Sequence, residues 1–182
     1  MIHDIYKQAR DTAWRFLIDN RVNSLPVKLS AVCRQNSIAL LYDNARYLSE
    51  TRRGITFVDD NGGFNIVLNP RDSVTVQRYT IAHELGHIVL GHFNGNILSP
   101  SDMEYQADRF AIDILAPACV LWGLNLHTAE DIAKICNISM QSAQIRAERM
   151  EILYKRNKFL ISPLEKQGFE QFSGFINQYK SK

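Results

Sequence analysis

The sequence predicts an α+β fold, in which helices precede and follow a small antiparallel sheet. Three observations support this class. Apolar residues recur at helical spacing near residues 3–20 and again from about Thr75 onward. Between these stretches, two short apolar segments flank Asn61-Gly62-Gly63, a strong hairpin signal because these residues supply the positive φ of a tight turn. With 182 residues, the chain has the length of one domain, or of one domain with a small addition.

The N-terminal half is expected to hold two helices and three strands. In chain order these are a helix near 3–20, a helix over roughly Val27–Arg34, a strand over Ser37–Tyr42, and hairpin strands over Gly54–Asp59 and Phe64–Leu68. Pro26 is predicted just inside the second helix, and Asn36 is predicted as its left-handed stop. The first strand is an uninterrupted apolar run, which predicts a buried strand.

The second half of the chain is predicted to be helical throughout. Its helices start near Thr75, at Pro100, at Ala129, at Met140 and after Ser162-Pro163. Gly91 is the predicted stop of the first. Ser99 as N-cap with Pro100 behind it marks the start of the second, and Pro117 closes that helix.

Two of these helices, Ala129–Cys136 and Met140–Tyr154, meet at Asn137 and resemble a helix-turn-helix. The polar side chains that the second helix could present are Gln141, Gln144, Arg146 and Arg149, offset by Glu148 and Glu151. Because that local charge is balanced, a packing role or a protein contact is favoured over DNA binding. We therefore do not expect direct DNA binding.

The aromatic tail, residues 157–182, is expected to cover the core, because aromatic residues at helical spacing usually pack. A docking surface for a partner is the alternative. The predicted organisation is a domain over residues 1–120 followed by a helical extension over 121–182 packed on it, or a single domain over 1–182.

The composition is ordinary for a folded protein, with 46% hydrophobic and 22% charged residues. A net charge of +2 gives no argument for a nucleic-acid or membrane partner. Cys33, Cys119 and Cys136 are odd in number and far apart, which argues against a disulfide scaffold and against a cysteine zinc site. The first ten residues carry scattered charges and no apolar core of a signal peptide. We expect a reduced, cytoplasmic protein.

The segment His83-Glu-Leu-Gly-His87 carries the chemistry. Residues four apart on a helix lie one turn apart on one face, so both imidazoles can reach one metal ion. Glu84 is offset by about 100° and lies near that ion without being aimed at it, where it can act as a base toward water. Gly86 costs stability inside a helix, which predicts that a neighbouring element approaches closely at this point.

A catalytic zinc site requires a third protein ligand. Glu104 lies on the next helix, near the edge of its buried face. Asp108, one turn later on the same side, can hydrogen-bond the free ring nitrogen of a ligating histidine. Asp113 is the rival third ligand, farther from the start of the helix. An alternative for Glu104 is an interaction with the helix dipole, although Asp102 suits that role better.

These residues resemble a known family. His83-Glu-Leu-Gly-His87 followed by Glu104-Tyr-Gln-Ala-Asp108 resembles the HExxH…ExxxD pattern of gluzincin metallopeptidases. The longer segments Arg78–His87 and Glu104–Ala111, with Leu115-Ala-Pro117, resemble the ImmA/IrrE metallo-endopeptidases. Tyr79 stands where that family usually has Phe, and Leu-Ala-Pro replaces a common Leu-Met-Pro; neither change falls on a ligand position.

The resemblance implies a zincin-like fold and one zinc ion per chain, with His83, His87 and Glu104 as ligands and Glu84 as general base. Characterised members of the family cleave helix-turn-helix repressors in mobile elements, phages or stress responses. The expected function is therefore regulatory proteolysis, with a repressor encoded nearby as substrate and no membrane partner.

Three residues are weak candidates, by proximity in sequence alone, for the donor that stabilises the oxyanion: Tyr79, His92 and Tyr105. Two alternatives to the peptidase stay open at this point. The first is a regulator that keeps the metal and does not cleave. The second is a helix-turn-helix DNA-binding protein with a structural metal. The presence of Glu84 favours the enzyme, because a structural site needs no base.

Overall fold

The computed structural model describes residues 2–95 and 98–181 and confirms the α+β class. The elements of this part of the chain are α1 (Ile2–Asp19), α2 (Leu29–Gln35), β1 (Ala39–Tyr42), β2 (Gly54–Val58), β3 (Phe64–Leu68), α3 (Val74–Val89), α4 (Pro100–Leu115), α5 (Ala118–Gly123), α6 (Ala129–Cys136), α7 (Met140–Lys155), α8 (Pro163–Gln171) and α9 (Ser173–Lys180). The short helix α5 was not predicted, and the single helix predicted after Ser162-Pro163 is divided into α8 and α9.

The three strands form one sheet in the order β1-β3-β2. The predicted hairpin is confirmed, since β2 and β3 pair antiparallel. The sheet as a whole is mixed, because β1 pairs with β3 in parallel. The hairpin signal is local, whereas the partner of β1 is set by the long connection between residues 43 and 53. Only the hairpin could therefore be predicted from the sequence.

Two details at the start of the sheet differ from the predictions. Strand β1 is an edge strand, and Leu41 and Tyr42 are 43% and 54% exposed, so the prediction of a buried strand was wrong. An apolar run does not distinguish an edge strand from a central one. The left-handed residue after α2 is Ser37, with φ +57°, whereas Asn36 stays at φ −97° and its side chain donates to Val32 O.

Pro26 also lies elsewhere than predicted. Helix α2 begins at Leu29 with Lys28 as its N-cap, so Pro26 precedes the helix and follows a cis peptide bond with Leu25. The caps of the later helices are confirmed. Gly91 ends α3 at φ +74°, and the Ser99 hydroxyl accepts the Asp102 N–H at the start of α4.

Helices α3 and α4 pack against each other at the centre of the molecule, and Gly86 sets their distance. A Cβ atom at Gly86 would lie 3.0 Å from Ala107 Cα and 3.2 Å from the Phe110 ring. Ala107 and Phe110 are fully buried. The predicted close approach at Gly86 is thus confirmed, and α4 is the element that approaches.

A buried ion pair joins α4 to α7. Asp113 Oδ1 lies 2.7 Å from Arg146 Nη2, and both side chains are 1% exposed. Arg109 contacts the other carboxylate oxygen of Asp113 at 2.7 Å. Arg146 lies on the helix that resembles a recognition helix, and this contact gives it the packing role that the balanced local charge favours.

The C-terminal helices cover part of the core. Asn137 joins α6 to α7 in the left-handed conformation, φ +52°, and Arg78 of α3 donates to its carbonyl. Phe172 and Ile176 of the tail are 1% and 3% exposed, which confirms that the tail covers the core. The amide of Gln171 donates to the carbonyl of Leu17 in α1 and to that of Val22 after it, which ties α8 to the end of the first helix.

Two further expectations concern the chain as a whole. Cys33, Cys119 and Cys136 are free and buried, and burial raises the pKa of each thiol to about 12. These thiols are therefore protonated and unreactive at neutral pH. Among residues 2–95 and 98–181, every helix is too short or too polar to cross a membrane.

The contact at Gly86 can be tested by adding one methyl group. Overpacking costs about 1–3 kcal/mol, against a gain in helix propensity of about 1 kcal/mol. We expect Gly86→Ala to lower the free energy of unfolding by about 1 kcal/mol, and Gly86→Val by more. Urea denaturation of the metal-free protein measures this.

The matched control is Gly168→Ala in α8, where no atom lies within 4 Å of the added Cβ. The control should gain up to about 1 kcal/mol from helix propensity alone. Equal gains for Gly168→Ala and Gly86→Ala would show that α3 and α4 are not held tightly at this point.

Candidate metal centre

Three side chains from α3 and α4 converge on one point. His83 Nε2 and His87 Nε2 are 3.1 Å apart. The carboxylate of Glu104 approaches both rings, at 3.2 Å from His83 Nε2 and 3.4 Å from His87 Nε2. These three are the group that can hold a metal ion within the described part of the chain. The structure thus brings together the three residues that the sequence predicted as ligands.

The spacing of the three donor atoms fits a small tetrahedral ion. Ligand bonds of about 2.0–2.1 Å place two ligands of a tetrahedral zinc ion about 3.3 Å apart. The observed separations of 3.1, 3.2 and 3.4 Å match three edges of such a tetrahedron. Glu104 is 61% exposed, so the cluster is open to solvent at this ligand. The residues present therefore fit the predicted metal.

The ring of His83 is held from behind by a carboxylate. Its Nδ1 lies 2.8 Å from Asp108 Oδ1, and the Tyr79 hydroxyl donates to the same oxygen at 2.8 Å. Burial lowers the pKa of His83, but the hydrogen bond and charge of Asp108 outweigh burial, and the pKa ends above its ordinary value. Protons and a metal ion therefore compete for His83. The geometry matches the carboxylate contact that the sequence predicted for Asp108.

His87 is held by a different set of neighbours. Its Nδ1 lies 2.9 Å from His92 Nδ1, and His92 Nε2 lies 3.0 Å from Gln106 Oε1. Gln106 in turn donates to Gln8 of α1 at 3.1 Å. Burial, followed by the charge of His83, lowers the pKa of His87 to about 4. The ring is neutral at neutral pH, so one of its two nitrogens carries a lone pair that can bind a metal.

One hydrogen bond from the sheet holds the carboxylate of Glu84. Its Oε2 accepts a 2.6 Å hydrogen bond from the hydroxyl of Thr56, a residue of β2 that is 8% exposed. Thr56 was missed by the sequence reasoning. It lies 28 residues away along the chain, and only the packing of β2 against α3 brings the two together.

The weak oxyanion candidates occupy other places. Both ring nitrogens of His92 are engaged behind His87, and the Tyr79 hydroxyl is engaged with Asp108. Tyr105 is 44% exposed and lines a cleft that contains none of the metal ligands. Asp113, the rival third ligand, lies in the buried ion pair with Arg146. Geometry thus favours other roles for all four residues.

Comparison with known proteins gives three likenesses. The model of the Peptidase M78 family, described as the IrrE N-terminal-like domain, matches residues 44–148. The uncharacterized protein YqaB of Bacillus subtilis (strain 168) is 30% identical over 105 residues, which cover 53% of this chain and 59% of YqaB. A solved Mycobacterium tuberculosis transcriptional regulator matches with a TM-score of 0.56 and 14% identity, over 79% of this chain and 46% of that one. At that identity the likeness shows the fold alone.

The comparisons cover only part of each related protein. The chain spans less than two thirds of the length of either protein. The matched family segment contains His83, Glu84, His87 and Glu104, together with Thr56 and Asp108. The geometry described above therefore lies within the part of the chain that the family model recognises.

The cluster predicts a graded loss of metal affinity. Glu104→Gln removes a charged ligand, and we expect it to weaken zinc binding more than Asp108→Asn, which should cost about 10- to 100-fold. Asp102→Asn is the matched control, because this acid caps the same helix outside the cluster. Competition with a coloured chelator measures the affinities. Equal losses for Asp102→Asn and Glu104→Gln would place the third ligand elsewhere.

Proposed function

The chain belongs to the Peptidase M78 family, the IrrE N-terminal-like domain, and from that premise we propose that it is a zinc-dependent endopeptidase. One observation carries the proposal. The donor atoms of His83, His87 and Glu104 lie within 4.8 Å of one another, so all three can bind one ion. Glu84 follows His83 on α3. Two nitrogen donors and one carboxylate leave a fourth position open, as catalytic zinc sites require.

The chemistry divides between the metal and the chain. A zinc ion held by the three ligands supplies Lewis acidity, which acidifies water and polarises a peptide carbonyl. Glu84 Oε2 accepts a hydrogen bond from the Thr56 hydroxyl, which makes Oε1 the more available oxygen to take a proton from the attacking water. The hydroxyl of that water adds to the carbonyl carbon. Glu84 then returns the proton to the amine as the C–N bond breaks.

Strand β2 supports the binding of an extended peptide next to Glu84. It lies at the edge of the sheet, with β3 on one side. The free backbone groups of an edge strand can pair with an added strand. Because Thr56 belongs to β2 and contacts Glu84, a peptide paired with this edge would pass beside the base. This arrangement suits cleavage within a chain.

Two other functions have less support. A metal-binding regulator that does not cleave gains no support from the likeness to a transcriptional regulator, because that likeness concerns the fold alone. A metal site that does not catalyse a reaction would also give no role to the hydrogen bond from Thr56 to Glu84. A DNA-reading role for α7 is disfavoured, because Arg146 is committed to the buried pair with Asp113.

We further propose that the substrate is a helix-turn-helix repressor encoded nearby, and that the protein acts in the cytoplasm in regulation of transcription. The family resemblance supports this substrate. An endopeptidase with an exposed site needs selectivity against other proteins, and contacts outside the metal centre are the available source.

The base can be separated from the metal site by one substitution. Glu84→Gln keeps the size of the side chain and removes its basicity. We expect it to retain zinc and to lose cleavage by about 100-fold or more. Glu104→Gln should lose both zinc and cleavage, which makes it the contrast. A Glu84→Gln variant that cleaves at the parent rate would exclude Glu84 as the base.

The substrate proposal is tested with the same proteins. The purified chain is incubated with the repressor encoded beside it and, separately, with casein, and the products are measured by intact mass. We expect a single cut in the repressor and negligible digestion of casein. Rapid digestion of casein with the repressor intact would indicate a general peptidase.

Thr56 should position Glu84 without touching the metal. Thr56→Val keeps the shape and removes the hydroxyl, and we expect kcat to fall about tenfold, which corresponds to about 1.4 kcal/mol. KM and zinc affinity should stay unchanged. Thr56→Ser restores the donor and should rescue kcat. Equal losses in the Val and Ser variants would mean that packing, rather than the hydrogen bond, is responsible.

A further inference from the structure

A cleft beside α4 is lined by residues other than the metal ligands. Its volume is about 950 Å³, and it lies between α1, α4, α7 and the segment that enters α8. Its lining is strongly basic, with Lys7, Arg10, Arg109, Arg149, Arg156 and Lys158. The volume is at the upper end of the range for small-molecule sites, about 300–1,000 Å³.

The acidic groups in and beside this cleft are already committed. Asp113 is paired with Arg109 and Arg146, and the Glu165 carboxylate accepts the backbone N–H of Ile161. Arg10 is paired with its neighbour Asp11.

The remaining cations of the lining are Lys7, Arg149, Arg156 and Lys158. Ion pairs within the described ranges involve none of these four. The cleft therefore carries an excess of positive charge that the protein itself does not neutralise.

The guanidinium groups are held in place by aromatic rings. Arg109 lies over the Tyr6 ring at 4.1 Å, and Arg149 lies over the same ring at 5.3 Å. Contacts of this kind fix the planar fork of arginine, so less freedom is lost when it binds an anion. Burial lowers the pKa of Arg109, the charge of Asp113 raises it, and the charges of Arg146 and Arg149 lower it. The like charges are thus close enough to repel.

Several donors in the cleft walls also lack acceptors. Trp14 Nε1, Tyr6 Oη and Arg149 Nε are buried and have no hydrogen-bond partner in the part of the chain that the structure describes. Trp14 as a whole is 5% exposed. Buried polar atoms are nearly always paired, so the hydrogen-bonding capacity of these cleft walls is incompletely satisfied within the described part of the protein.

We propose that this cleft binds a small molecule that carries two or more phosphate groups. Phosphate supplies the most negative charge in the least volume, and both arginine and lysine bind it well. The four cations without ion pairs lie on α1, on α7 and in the segment after α7. Cations on separate elements suit separated phosphates better than one carboxylate. The site does not depend on the peptidase proposal, because its lining and the metal ligands share no residue.

The test uses D-fructose 1,6-bisphosphate as probe and calorimetry on the zinc-loaded full chain. The cleft variant is Lys7→Gln/Arg156→Gln/Lys158→Gln, which changes three exposed side chains. The matched control is Lys28→Gln/Lys134→Gln/Lys180→Gln, which removes the same charge from exposed positions outside the cleft. We expect the cleft variant to lose affinity by about tenfold or more, about 1.4 kcal/mol, and the control to stay near the parent.

A second variant separates specific binding from general attraction. Arg149→Lys keeps the charge and loses the fork, so it should also weaken binding of the bisphosphate. Thermal unfolding of every variant checks that the fold is intact. No binding of the probe to the parent, or equal losses in the cleft and control variants, would overturn the proposal.

Two further probes distinguish other anions. Hexaglutamate and a 20-base-pair DNA duplex are titrated into the same proteins. We expect both to bind more weakly than the bisphosphate. Binding of either one that depends on the cleft lysines, without binding of the bisphosphate, would assign the cleft to an acidic peptide or to nucleic acid and overturn the proposal.

Discussion

The metal centre depends on one packing contact, the close approach of α3 and α4 at Gly86. His83 and His87 stand on either side of this glycine in sequence, and Glu104 lies one turn before Ala107, the residue that faces it. A larger side chain at position 86 would separate the two helices and the donor atoms with them. The residue that lets the core close therefore also sets the 3.1–3.4 Å distances between the donors. Stability of the core and affinity for the metal are coupled through that contact.

The two histidines occupy unequal environments, although they lie on the same helix face. A carboxylate stands behind His83, whereas a neutral chain of His92, Gln106 and Gln8 stands behind His87. The carboxylate favours the protonated form of His83, and burial favours the neutral form of His87. His87 is therefore neutral at neutral pH. The contact with Asp108 fixes the orientation of the His83 ring. Asp108 belongs to α4, and Gln106 of the same helix contacts His92. Helix α4 thus supplies the ligand Glu104 and supports both histidine rings.

Features that depend on nearby residues could be predicted, whereas most contacts between residues far apart in sequence could not. The contacts of His83 with Glu104 and Asp108 are exceptions, because a metal site requires a third ligand and a hydrogen-bond partner for its histidines. The i, i+4 spacing of His83 and His87, the Ser99 cap and the Gly91 stop are local, and the structure has all of them. Thr56 beside Glu84 and Arg146 beside Asp113 are 28 and 33 residues apart, so no sequence window contains either pair. The parallel pairing of β1 is of the same kind. His92 is an intermediate case, because its folding back toward His87 follows from the helix stop at Gly91.

The net charge of the chain likewise does not reveal where its charged side chains lie. A net charge of +2 gives no indication of an anion site, yet α4 separates two surfaces of opposite character. One carries Glu104 and Asp108 toward the histidines, and the other carries Arg109 toward a cluster of uncommitted cations. Buried Phe110 and Ala111 on the same helix face the core. Net charge averages over surfaces that a helix keeps apart, so a nearly neutral chain can offer one site for a cation and another for an anion.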